Sequence, residues 1–332
     1  MSGQLTSGDE VMGLGIRPFE RGLHDLGNGG YAWLQPDGSW GWSNAGLIVD
    51  GDQSLLVDTL FDKSLTREML RAMRDAAPSA TNQFNTLVNT HANGDHCNGN
   101  DLVTGAEIIA SKACAQELAN EDPAMMLKMM KRAPEMGEVG EFFVHCFGAF
   151  DFTDIHPTLP TRTFEGELEV KVGDKDVVLK QVGPAHTAGD ILAYVPKERL
   201  IFTGDILFIE GHPILWAGPI ANWIDACDYM LSLELENVVP GHGPITDKRG
   251  VQAVRDYLTY IRDEARKRFD ANMPAEEAAL DISLTDFDSW GDAERIAVNV
   301  AVLYKEFAGD PEPTSVPQLF ALMAKLHKAR RR

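Results

Sequence analysis

The stretch Asn89-Thr90-His91-Ala92-Asn93-Gly94-Asp95-His96-Cys97-Asn98-Gly99-Asn100 constrains this chain more than any other. It follows Phe84-Asn85-Thr86-Leu87-Val88, which has the length and bulk of a buried strand. A strand that hands over within a few residues to two histidines and an aspartate places polar ligands at a sheet edge. Neutral imidazole and carboxylate suit a zinc-like divalent ion. The flanking glycines and asparagines argue for a loop curled around something rather than a helix face. Alone, the stretch also reads as a polar turn with two surface histidines.

Three more positions answer that bland reading. His186 lies in Val182-Gly183-Pro184-Ala185-His186-Thr187-Ala188-Gly189-Asp190, a turn between strand-like runs. Asp205 ends Leu200-Ile201-Phe202-Thr203-Gly204-Asp205, and His242 ends Asn237-Val238-Val239-Pro240-Gly241-His242-Gly243. Four strand-like runs each deliver a histidine or aspartate where they stop. One shared metal site explains all four.

In the order and context of these motifs, the chain resembles the metallo-β-lactamase-fold superfamily over residues 40–245. That family's signature is a Thr-His-x-His-x-Asp-His loop followed by a His, a Gly-Asp and a Gly-His. The resemblance implies an α/β fold, a four-layer αβ/βα sandwich, and metal-dependent hydrolysis. Carried over by position, it implies that His91 and His186 hold one zinc while Asp95, His96 and His242 hold another, with Asp205 as the bridge. It also implies that Asp58, closing Leu55-Leu56-Val57, supports the metal loop by accepting a histidine's distal N–H. On its own, Asp58 reads as well as a helix cap.

Asn93 departs from the pattern, because the family's second histidine is an asparagine here. A carboxamide oxygen is a weak, neutral ligand for zinc. The expectation is one or two zinc ions per chain. The site of Asp95, His96, Asp205 and His242 fills first, and the site of His91 and His186 is weak or empty.

The rest of the chain bounds the partners. A net charge of −20 argues against nucleic acid and anionic membranes. Met1 to Arg21 shows no apolar signal core, and no run approaches 18 apolar residues. Cys97, Cys114, Cys146 and Cys227 show no paired spacing, as in a reduced cytoplasmic protein. Cys97 reads as a small filler turned away from the ligands.

The pattern divides into an N-terminal segment (1–25), the metal-binding domain (26–247) with an insert or lid (120–165), and a helical C-terminal extension (248–332). The Pro36-Asp37-Gly38 turn suggests a hairpin, and Ser64 a helix cap. Within the insert, Pro123 to Lys131 holds four methionines that suit either a pocket wall or core. The aromatic run from Phe142 to Phe152 suits a satellite core, a substrate wall or a homodimer contact. His145, Asp151, Asp154 and His156 read as exposed loop residues before a second metal site. Trp216, Asn222 and Trp223 are pocket candidates, with inward packing the alternative for Trp223, and His212 is a spare histidine nearby.

There is no Gly-x-Ser-x-Gly elbow and no Walker-type loop. The leading reading is therefore a hydrolase in which a zinc-bound hydroxide attacks a small substrate and Asp95 handles the proton. Esters, lactones, thioesters and β-lactams fit that chemistry. One alternative is hydrolytic dehalogenation of a chlorinated aromatic, which a single-metal site resembles. Others are an iron-dependent oxygen or sulfur redox protein and a non-catalytic binding protein on the same scaffold.

Overall fold

Period-two alternation along the strands decides which layer each apolar side chain joins. The computed structural model describes residues 13–122, 124–310 and 315–330. The first twelve residues of the N-terminal segment, Pro123 of the methionine run, and the end of the basic tail at Arg331 and Arg332 lie outside the described residues.

One sheet holds β1 (Gly22–Gly27), β2 (Gly30–Leu34), β3 (Ala45–Asp50), β4 (Gln53–Val57), β5 (Thr86–Val88), β6 (Glu107–Ser111) and β7 (Arg162–Phe164), in that order. The first four run antiparallel and the rest continue parallel to β4. The second sheet holds β8 (Glu167–Val172), β9 (Lys175–Gln181), β10 (Ile191–Val195), β11 (Leu200–Phe202) and β12 (Asn237–Val239). It is antiparallel except for the β11–β12 pair.

Leu55 and Val57 of β4 join the core between the sheets, with Val177, Leu179, Ala193, Leu200 and Phe202 from the other sheet. Leu56 and Ile201 point the other way, into the cluster that holds Met69 and Leu70 of helix Lys63–Ala76 and Trp223 of helix Ile220–Ser232. Two sheets face to face with helices outside make the four-layer sandwich that the sequence implied. The sheets approach closely at Gly46, where an added Cβ would stand 2.1 Å from the Phe202 ring.

The structure differs from the sequence reading at several joints. Asp62, not Ser64, caps helix Lys63–Ala76, because the cap needs extended backbone (φ −133°, ψ 165°) just outside the helix. Its carboxylate accepts from the Leu65 N–H at 2.8 Å and from the Asp151 N–H at 3.2 Å, tying the insert to the helix. No strand follows Pro36-Asp37-Gly38, and β2 pairs with β3 across an irregular loop instead. That loop is held by Trp40, whose indole N–H donates to Glu294 and whose ring packs against Phe147 and Phe320. The sheet also begins at Gly22, inside the segment that the sequence set apart.

The extension consists of helices Lys248–Asp270, Ala275–Asp281, Ile296–Ala308 and Val316–Arg330. The first packs on helix Ile220–Ser232, and the last on helix Gly137–Phe147 of the insert. The extension therefore reaches both the second sheet's helical layer and the insert. No helix among the described residues is long and apolar enough to cross a membrane.

Asp62→Ala removes both the cap and the tie to the insert, and should cost about 1–2 kcal/mol, whereas Asp62→Asn should cost a fraction of that. Thermal melts of the two variants check it; equal midpoints would contradict the capping assignment.

Candidate metal centre

The strand ends converge as ligand carriers. His91 follows β5, His186 follows β9, Asp205 follows β11 and His242 follows β12, so one sheet supplies the first and the other sheet the remaining three. All four lie beyond the carboxyl ends of their strands, where open sheets place their sites. Asp95 and His96 ride on a single helical turn, Gly94–Cys97, rather than the loop that the sequence suggested. The turn satisfies its own buried backbone, with His96 N–H donating to the Asn93 carbonyl and Asn98 N–H to that of Gly94. Gly241 is required beside them, since a Cβ there would stand 2.0 Å from Asp205 Oδ1.

The donor atoms meet in a small volume. Asp205 Oδ2 lies 3.4 Å from both His186 Nε2 and His242 Nε2, and 3.7 Å from His91 Nε2. Asp95 Oδ2 lies 3.3 Å from His242 Nε2. Asn93 fills the corner of the missing histidine: its Oδ1 stands 3.1 Å from His91 Nε2 and 2.8 Å from His186 Nε2. His91, His96 and Asp205 form one grouping able to hold an ion, and Asp95, His96 and His242 a second.

Each histidine commits its Nδ1–H elsewhere. His186 donates to the Ile214 carbonyl at 2.7 Å and His242 to the Gly38 carbonyl at 3.0 Å. His96 donates to Asp58 Oδ2 at 2.9 Å. Thr90 spends its hydroxyl proton on Asp58, so its oxygen accepts from His91 Nδ1 at 3.0 Å. Every neutral ring therefore turns an Nε2 lone pair toward the carboxylates, the tautomer a metal requires. His96 Nε2 and Asp205 Oδ1 are buried 3.0 Å apart, yet neither has a hydrogen-bond partner among the described residues. Two acceptors aimed at a common point fit a cation, and the donor set suits zinc.

The electrostatics agree. Burial pushes His91 well below its ordinary pKa and lowers His186. Burial acts the same way on His96 and His242, but the Asp205 and Asp95 carboxylates overcome it, holding His96 well above its ordinary value and His242 at about 9. Positive charge has to sit among these carboxylates, and a divalent ion supplies it more fully than protons do. Asp58, on left-handed backbone (φ 63°), binds Thr90 N–H and hydroxyl as well as His96. It orients the ligand loop, and Asp62 does the capping.

A cavity of about 550 Å³ opens over this floor. Phe61, Phe147, Phe152, Phe208, Trp40 and Trp216 form its walls, and Met125 and Met126 join them from the insert. Glu117, Glu121 and Asp122 stand on one side, and Arg295, Val316 and Phe320 come from the extension. Of the pocket candidates, Trp216 lines the cavity and two do not. Trp223 is fully buried, donates its indole N–H to the Ile206 carbonyl, and backs His186 edge-on at 5.8 Å. Asn222 donates to the Pro184 carbonyl instead. His212 is buried against Gly291, away from the cavity. Cys97 donates its thiol to the His91 carbonyl. His145, Asp151, Asp154 and His156 are exposed; His156 pairs with Asp154 at 2.8 Å, but no three of them form a grouping able to hold an ion among the described residues. Trp40, Phe208, Glu117 and Arg295 escaped the sequence reading, since no local pattern ties them to the ligand motifs.

The sequence profile of the metallo-beta-lactamase superfamily matches residues 38–242. The chain belongs to this superfamily. A Caenorhabditis elegans superfamily relative, the beta-lactamase-like protein 2 homolog, is 25% identical over 277 residues, which are 81% of this chain and 79% of the relative. Among solved structures, the stereoselective inverting sec-alkylsulfatase Pisa1 from Pseudomonas sp. has a TM-score of 0.65 at 15% identity, covering 89% of this chain and 52% of its own. This superfamily member thus spans about half of the alkylsulfatase's length. A metallo-beta-lactamase from Pontibacter korlensis has a TM-score of 0.53 at 16% identity, covering 72% of this chain and 99% of its own. At these identities the two structures show the fold.

Asp58→Asn should weaken zinc binding about 10- to 100-fold by releasing His96 Nδ1; chelator competition measures it, and unchanged affinity would contradict the role. Asp190 generates a pH prediction. Burial pushes it up to about 8 against the Thr187 N–H and hydroxyl bonds that favour its charge. A folded-state pKa above the unfolded one favours folding only while the group is neutral, so this contribution is full below about pH 4 and is lost as pH rises to about 8. Asp190→Asn should therefore gain thermal stability over the natural chain progressively across that window, and a pH-independent difference would refute it.

Proposed function

We propose that the chain is a zinc-dependent hydrolase acting on a small, uncharged, apolar or aromatic substrate. One observation carries this reading: four histidine Nε2 atoms and two aspartates converge on the floor of an aromatic-walled cavity. His91, His186 and the Asn93 oxygen would hold one ion, Asp95, His96 and His242 the other, with Asp205 between them. Bound there, zinc would supply a Lewis acid and lower the pKa of a bound water to about 7.

The chain's own residues do the rest. The Asp95 carboxylate faces the cavity. Burial alone would raise its pKa, but positive charge among the ligands holds it below the ordinary carboxylate value, so it stays ionised, the form that can accept a proton from water. Phe61, Phe152, Phe208 and Trp216 exclude bulk water and offer flat faces to a planar group. Charge sets the class of substrate. Burial raises the Glu117 and Glu121 pKa values, which marks a wall already short of solvation for negative charge. Arg295, the cation among the described lining residues outside the histidines, is already paired with Asp292 at 3.0 Å. A carboxylate-bearing substrate meets like charge here, and a neutral one does not.

Within that class, esters, lactones and thioesters are attacked at a carbonyl. Hydrolytic displacement of chloride from an electron-poor chlorinated ring is the second reading, favoured by the aromatic walls. A halide also leaves without needing a proton.

Elemental analysis and a matched substrate panel test both. Expected are bound zinc and turnover of either a neutral aryl ester or a chlorinated benzonitrile (read by chloride release), abolished by chelation and restored by zinc. Turnover should fall at least about 100-fold in Asp95→Asn, with metal content measured alongside. Carboxylated analogues should be poorer substrates than neutral ones. Absence of zinc-restorable turnover on every neutral substrate would sink the hydrolase reading, and iron in place of zinc would turn it toward redox chemistry.

A further inference from the structure

His242 has two supports besides the carboxylates. Its Nδ1–H donates to the Gly38 carbonyl, and its ring stacks on Phe208, with centroids 5.1 Å apart and planes 6° from parallel. Both supports are gripped by one short segment of the helical extension, residues 291–295, some fifty residues further along the chain.

On the Gly38 side, Ser39 donates its hydroxyl to Asp292 Oδ1 at 2.7 Å, and Trp40 donates its indole N–H to Glu294 Oε1 at 3.1 Å. On the Phe208 side, the Arg295 guanidinium lies over the Phe208 ring at 5.0 Å. The same guanidinium lies over Trp40 at 4.4 Å, so one cation bridges the two supports. Its Nη1 donates to the His212 carbonyl at 2.9 Å, and its Nη2 pairs with Asp292 at 3.0 Å. Gly291 closes the set, donating its N–H to the Glu210 carbonyl and accepting from His212 N–H.

Arg295 is buried, and its Nε–H has no hydrogen-bond partner among the described residues. As mere filler between two rings it is a poor choice, because an apolar side chain of similar length would fill the space without a desolvated charge. Its planar cation instead binds two aromatic faces at once, which a flexible ammonium does less well.

We propose that Arg295, braced by Asp292, is a positioning residue for His242 and so sets the affinity of the metal site that uses this histidine. The extension is then part of the metal centre, although it contributes no ligand. The inference rests on the metal-site reading above. His91 serves as the internal reference, because its Nδ1 support is Thr90, which Asp58 holds rather than the extension.

The test is a cobalt titration of the full-length, metal-free chain, followed by visible absorption and chelator competition, with circular dichroism as a check on folding. The natural chain should bind cobalt; if it does not, the metal-site reading fails and this inference with it. Arg295→Met should weaken by about tenfold or more the binding event that His242→Ala abolishes, and should change its cobalt spectrum. The event abolished by His91→Ala should hold its affinity. Arg295→Lys should recover part of the loss. Cobalt binding by the natural chain together with unchanged affinity and spectrum in folded Arg295→Met would overturn the inference, whatever happens to the melting temperature. If Arg295→Met does not fold, Ser39→Ala decides, since it cuts only the hydroxyl bond to Asp292. A weaker His242-dependent event supports the inference, and unchanged binding overturns it.

Discussion

Buried carboxylates facing imidazole lone pairs are the constraint on which the rest of this structure depends. Asp205 and Asp95 sit among four histidines whose Nδ1 atoms are already committed to the Ile214 and Gly38 carbonyls, the Thr90 hydroxyl and Asp58. Lone pairs and negative charge at such short range are stable only around a cation. The scaffold supplies the rigidity. It holds ligands from two sheets in one place, removes a side chain at Gly241 so that Asp205 fits, and uses the Asp58 carboxylate to tie Thr90 to His96.

The layers that flank this centre differ in purpose. The helices outside the sheets bury methionine and leucine, at about 1.5–3 kcal/mol for each fully buried side chain. The insert and the extension instead spend aromatic residues on the cavity. Trp40, Phe147 and Phe320 come from an early loop, the insert and the last helix, and they meet over the metal floor. A superfamily core thus acquires cavity walls from chain segments that bring no histidine or aspartate to the centre. Glu117, Glu121, Asp122 and the paired Arg295 line the same cavity.

Asn93 changes how the centre should be understood. Its carboxamide oxygen takes the corner between His91 and His186, so the substitution weakens a donor without emptying its place. A carboxamide oxygen is a weaker zinc donor than imidazole, so the two halves of the centre would differ in ligand strength.

The ligand motifs were legible because they are local: each is a strand-like run that stops at a histidine or aspartate, and their order resembles that of a known family. The four-layer sandwich came with that resemblance. Caps and turns read less well. Asp62 displaced Ser64, and the expected strand after Gly38 is a loop, because backbone conformation at those joints follows from contacts with Asp151 and Glu294 far along the chain. Trp223 and Trp216 are equally aromatic and close in sequence, yet one packs inward behind His186 and the other faces the cavity. The sequence by itself determined the donor atoms, their order and the fold that carries them. Tertiary structure alone decided which aromatic residues line the cavity and that Arg295 reaches the seat of His242. Those depend on how the extension docks, a matter of long-range packing on which no periodicity in the chain bears.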